Sequence, residues 1–174
     1  MNQHGTDFVK AFVAGFASTL VFHQGLLTLF YLAAVVPRAP YDFGPVPPLA
    51  IPAVISLAFW GGAWGMAIWP FLKHLAGPAY WVRALVISAI ASGSVTLFIV
   101  SPLKGTPMAS GWNPNVIVST LLLNGTWGLG MVLLMRLMRV SHTTDSELSV
   151  SFPREEGERL TDKGAFHPPF RKSR

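Results

Sequence analysis

Residues 11–36 read AFVAGFASTLVFHQGLLTLFYLAAVV, without a single Lys, Arg, Asp or Glu. An α-helix needs about 20 apolar residues to cross roughly 30 Å of hydrocarbon, so this stretch predicts a transmembrane span. Three more runs of similar character follow at 51–72, 81–100 and 116–137. Between Phe43 and Thr144 there is no Asp or Glu, and the basic residues fall at the ends of the runs. With 51% hydrophobic residues and a mean hydropathy of +0.46, the expected fold class is an all-α membrane protein with four transmembrane helices.

The chain divides by composition into a transmembrane domain, residues 1–140, and a polar tail, residues 141–174. Six basic residues balance six acidic ones in the tail, and large apolar side chains are scarce. Such a segment cannot bury enough surface to fold alone and is expected to be a disordered cytoplasmic tail. The net charge of +5 therefore lies in the membrane domain, at the flanks of the spans. No basic stripe forms, which argues against a nucleic-acid partner. The absence of cysteine excludes disulfides and thiolate metal sites. The first run is also longer than the roughly 7–15 residues of a signal-peptide core, so it is expected to stay as a span.

Lys10, Lys73, Arg83, Arg136 and Arg139 flank one side of the spans, against Arg38 and Lys104 on the other. The positive-inside rule then puts both termini in the cytoplasm. The two outer loops are rich in proline, which favours extended connections. Pro52 and Pro114 are expected to open the second and fourth helices, where a missing N–H costs nothing.

The chain also resembles itself. Gly25–Phe30 (GLLTLF) recurs 68 residues later as Gly93–Phe98 (GSVTLF). Pro52–Ile55 with Gly61, Trp64 and Gly65 is echoed 62 to 64 residues later by Pro114–Ile117 with Gly125, Trp127 and Gly128. The pattern predicts two duplicated helix hairpins, and parallel repeats of this kind occur in some transporters. Gly61 and Gly65 form a GxxxG pair, and Ala84, Ser88, Ser92 and Thr96 recur every fourth residue. In lipid such small residues mark helix-packing faces, within one bundle or between protomers.

Twelve residues of helix at 1.5 Å each put His23, and Gln24 beside it, roughly 18 Å inside the first span. Asn124 lies roughly 12 Å inside the fourth from the opposite edge, which brings all three to one level. Trp60, Trp64 and Trp127 fall in the same zone. Polar groups in hydrocarbon must find partners. Two readings follow: an interhelical clamp, or a layer that binds or passes a proton or small polar molecule.

His23 is alone at mid-depth, so bis-histidine haem has no second ligand, and zinc chemistry and a serine triad lack their residues. No catalytic residue, metal or cofactor is expected, and an enzyme is the least favoured reading. The expected function is a binding or transport component for a small molecule or proton. The alternative is a non-catalytic accessory or assembly protein of a membrane complex. The expected partners are the lipid bilayer and either a second copy or a membrane-complex subunit. Phe22–Gly25 (FHQG) and Phe59–Gly65 (FWGGAWG) resemble runs in small bacterial membrane proteins, which implies the bacterial inner membrane.

Overall fold

The computed structural model describes residues 3–150, with side chains for 5–139. Among the described residues, four helices are long and apolar enough to cross a membrane, and together they make a helical membrane bundle. We label them α1 (residues 3–32), α2 (Ala53–Leu72), α3 (Gly77–Leu103) and α4 (Pro114–Val150). The described residues up to Met138 form one compact unit, and those from Arg139 belong to a second. The described part of the second unit, residues 139–150, is helical. Ten residues of the segment expected to be disordered are thus in helix, because no Gly or Pro interrupts the chain between Gly130 and Pro153. Residues 151–174, the rest of that expectation, lie outside the described residues.

The first helix starts earlier and stops sooner than its apolar run. It stops at Leu32 through a Schellman turn. Val35 N–H reaches Phe30 O at 2.9 Å, Ala34 N–H reaches Tyr31 O at 3.0 Å, and Ala34 takes the left-handed φ of 55°. Glycine usually marks this position; here alanine fills it, so the run of apolar letters continues past the true end.

Neither α1 nor α3 is regular. In α1 a π-helical stretch, Thr19–His23, separates Gln3–Ser18 from Gln24–Leu32. In α3, π-helical stretches occupy Ser88–Ser92 and Thr96–Val100. Hydroxyls line these stretches. Thr19 Oγ1 donates to Gly15 O (3.0 Å), Ser92 Oγ to Ser88 O (2.7 Å), Thr96 Oγ1 to Ser92 O (2.9 Å) and Ser101 Oγ to Thr96 O (3.0 Å). Each competes with the backbone N–H that an α-helix would aim at or near the same carbonyl. The ladder shifts accordingly to bonds five residues apart.

Two long loops sit at one end of the bundle, the long-loop end; the short connection 73–76 marks the other. The first loop contains an antiparallel pair, Pro45–Val46 with Ile51–Pro52, and a cis Pro47–Pro48 bond. It caps α2. Val54 N–H bonds Asp42 O (2.8 Å), Ala53 N–H bonds Gly44 O (2.9 Å), and Gly44 N–H bonds Asp42 Oδ1 (2.8 Å). These acceptors satisfy donors that a helix N-terminus leaves open. Pro52 is thus the residue before α2, whereas Pro114 opens α4 behind an Asn113 cap whose Oδ1 accepts Asn115 N–H at 3.0 Å. The second loop makes a left-handed turn, with φ of 48°, 52°, 69° and 60° from Ala109 to Trp112. It sets Trp112 edge-on to Phe98 at 6.0 Å.

Backbone contact holds the helices together. A Cβ on Gly61 would strike Thr19 Oγ1 and crowd Gly15 O, and one on Gly65 would strike Ala11 O. In the second hairpin a Cβ on Gly128 would strike Ser88 Oγ and meet Ala84 O. The same hydroxyl-and-carbonyl bracket thus closes on a glycine twice. Between hairpins it moves by 69 residues on α1 and α3 and by 67 on α2 and α4. Toward the short connection, Trp69, Leu72, Met131 and Met135 pack with Tyr80 into the apolar core. Side chains such as Val21, Phe59, Trp60, Phe71 and Ile90 are exposed, as a lipid-facing surface requires.

Candidate functional site

The polar side chains of the spans sort into separate groups. Gln24 is buried, and its Oε1 accepts the backbone N–H of Tyr41 at 2.9 Å. Asn124 instead faces α3. Its Oδ1 lies 2.9 Å from Ser92 Oγ and shares that hydroxyl's one proton with Ser88 O, while its Nδ2 donates to Thr120 O at 2.8 Å. No hydrogen bond joins His23, Gln24 and Asn124 to one another among the described residues. The reason is that the first loop folds back along α1 and supplies a partner no span could.

Tyr41 is the residue that reaches furthest. Besides its N–H bond to Gln24, its hydroxyl donates to Leu20 O at 2.9 Å. That acceptor exists because of the π-helical stretch. N–H groups at the end of the stretch go to Thr19 O and Val21 O, which passes over the Leu20 carbonyl between them. A regular helix would have kept that carbonyl for itself. Tyr41 also carries a left-handed φ of 51°, strain that its two anchors offset.

His23 lies in the same π-helical stretch, partly buried, and its Nδ1 is buried without a hydrogen-bond partner. It is the only Asp, Glu, His, Lys or Arg in the central part of any span. Arg38, on the first loop, is within electrostatic reach of it. On the same loop-bearing end Arg38 also interacts with Lys104. The Lys104 ammonium is held below the usual lysine range, first by shielding from solvent and then by the Arg38 charge, although the residue as a whole is exposed.

The tryptophans divide as well. Trp127 is 3% exposed and central: Nε1 donates to Gly15 O at 2.9 Å and its carbonyl accepts Ser18 Oγ at 2.6 Å. Trp64 is half-buried against the apolar core. Trp60 is 60% exposed, its ring edge-on to Phe59 at 6.0 Å. Gly61, Gly65, Ser88 and Ser92 are all buried at helix contacts.

Sequence reasoning passed over Tyr41, Ser18 and Gly15. A signal for Gly15 was present, since Ala11, Gly15 and Thr19 recur every fourth residue. Nothing in the letters around Tyr41 announces its return to α1. Among the described residues no group of three or more His, Cys, Asp or Glu could hold a metal ion. Comparison with known proteins finds no matching family model, no similar curated protein and no similar solved structure.

Proposed function

We propose that this protein is a membrane-embedded binding component for a proton or small polar molecule, centred on His23 beneath the first long loop. One observation carries the reading. Gln24, Ser18, Thr19, Ser92 and Asn124 all spend their hydrogen bonds inside the protein, whereas buried His23 Nδ1 spends none. An ionisable side chain inside a span, with a buried ring nitrogen left unpaired, is the feature that points to function here. The long loops face away from the cytoplasm in this reading, and both termini lie on the cytoplasmic side of a bacterial inner membrane.

The proton branch is tested in liposomes loaded with a pH dye, under an imposed pH gradient. Flux above that of empty liposomes, abolished by His23→Ala with the melting temperature kept, supports it. Equal flux with and without protein sinks it. For the small-molecule branch, native mass spectrometry should show an adduct that His23→Gln loses.

A second reading, an accessory or assembly protein, draws on a different observation. The Trp127–Gly15 and Asn124–Ser92 bonds are spent on holding helices together. In that case His23→Ala lowers thermal stability or oligomer content and changes neither flux nor adducts. An origin by duplication draws support from the two π-helical stretches that start 69 residues apart; the glycine bracket recurs in both hairpins but out of that register, pairing Gly61 with Gly128 where the sequence echo pairs Gly65 with Gly128.

A further inference from the structure

Residues 37–41, PRAPY, form a short strap between α1 and α2. Both of its ends are fixed. Val35 and Val36 N–H groups reach Phe30 O at 2.9 and 3.4 Å, and Asp42 O accepts Val54 N–H at 2.8 Å. Between these points the described residues give the strap two hydrogen bonds, and both belong to Tyr41. Its N–H donates to Gln24 Oε1 and its hydroxyl to Leu20 O, each at 2.9 Å. Pro37 and Pro40 have fixed φ and no N–H to donate, so the segment is stiff and swings as one piece about its ends.

The two acceptors bracket His23 within a single helical turn. His23 Nδ1 is buried without a partner, and Arg38, in the strap itself, is within electrostatic reach of it. The strap therefore lies against the turn of α1 that carries the imidazole. Docking it holds Tyr41 at a left-handed φ of 51°, which sets a backbone cost against the gain of two hydrogen bonds. The docked position is thus held by a small difference, as a segment that must open and close requires.

We propose that the strap is a lid over His23 and that Tyr41 is its latch, so that a ligand reaches the imidazole from the long-loop end once both Tyr41 bonds part. The inference rests on the reading of His23 as a binding centre and adds the route of entry. Entry from the lipid or between the helices would leave Tyr41 without influence.

The test uses the full chain in lipid nanodiscs treated with diethyl pyrocarbonate, which acylates accessible imidazoles. Peptide mass spectrometry reads the rate at each histidine, with His74 in the short connection as reference. His23 is expected to react more slowly than His74 in the unaltered chain. Tyr41→Phe should raise the His23 rate about fivefold, the gain in open population from one lost hydrogen bond, and leave His74 unchanged. Gln24→Leu removes the other anchor and should do the same. Ser18→Ala loosens the bond to Trp127 O, away from the strap, and should leave His23 unchanged. An equal rise there would mark general loosening of α1 and overturn the lid. Latch variants without effect, or a His23 as reactive as His74 from the start, overturn it too. No cargo is present in this assay, so a working latch without flux or adduct removes the binding reading alone. Flux or adduct with an inert latch removes the lid alone.

Discussion

Trp127 and Gly15, 112 residues apart in sequence, meet through a 2.9 Å hydrogen bond from the indole Nε1 to the backbone carbonyl. The same carbonyl accepts Thr19 Oγ1 at 3.0 Å, and Ser18 Oγ donates back to Trp127 O at 2.6 Å. The first and fourth helices are thereby joined in both directions. Gly61 leaves room for the joint, since a Cβ there would lie 3.2 Å from Trp127 Nε1.

Trp127→Phe keeps most of the ring and removes the donor. It is expected to cost about 1 kcal/mol, the scale of an interhelical hydrogen bond in a membrane protein. Ser18→Ala should cost a similar amount. Thermal unfolding in detergent reads both, and a double variant that loses only the sum would show the two bonds to be independent.

Glycine variants should separate by position. Gly61→Ala is expected to destabilise by about 1–3 kcal/mol through overpacking against Thr19 and Gly15. Gly25→Ala, with nothing within 4 Å of the added carbon, should be neutral or gain up to about 1 kcal/mol from helix propensity. Equal melting shifts for the two would contradict the packing described.

Ala34, Ala109 and Ser110 hold left-handed φ values of 55°, 48° and 52°. A side chain in that region costs roughly 1–2 kcal/mol, and glycine avoids it. Ala34→Gly is therefore expected to raise the melting temperature by the equivalent of about 1 kcal/mol. A lowered value would mean that the helix does not end where the Schellman turn puts it.

Tyr41→Phe removes the hydroxyl bond to Leu20 O and leaves the N–H bond to Gln24. Faster hydrogen exchange is expected through the first loop, with α2 and α4 unchanged. Gln24→Leu removes the other anchor and should expose the Tyr41 amide. The chain has no cysteine, so a single one placed at Phe43 reports loop release by its labelling rate.

Lys104 should react with amine reagents at lower pH than an ordinary lysine, because shielding and Arg38 both favour its neutral form. Removing the nearby positive charge with Arg38→Gln stabilises the ammonium and raises its pKa. Labelling at a fixed, mildly alkaline pH should consequently slow in that variant. Mass spectrometry of the labelled peptide measures it.

The four spans were legible because hydrocarbon imposes one requirement, length without charge, that 20 letters can display. Gly61 and Gly65 were legible as contacts for a similar reason, since only close backbone approach rewards glycine in lipid. The common polar layer was not. Depth along a helix axis places His23, Gln24 and Asn124 at one level but says nothing of azimuth, and the π-helical stretch of the first span turns Gln24 away from its regular bearing. Gln24 consequently meets a loop, while Asn124, on the uninterrupted α4, meets Ser92. The end of α1 was misjudged because alanine can occupy a glycine position when the surrounding bonds compensate.

One extra residue per turn gives the first span a swivel. The N-terminal portion keeps Gly15 and Ser18 trained on the other helices, while Gln24, just beyond the stretch, is turned to receive the Tyr41 amide. Deleting a single residue from 19–23 would restore regular winding and swing that far portion by about 100°. Packing and loop docking are therefore coupled through the joint, since Thr19 brackets Gly61 and Leu20 O receives the Tyr41 hydroxyl within it.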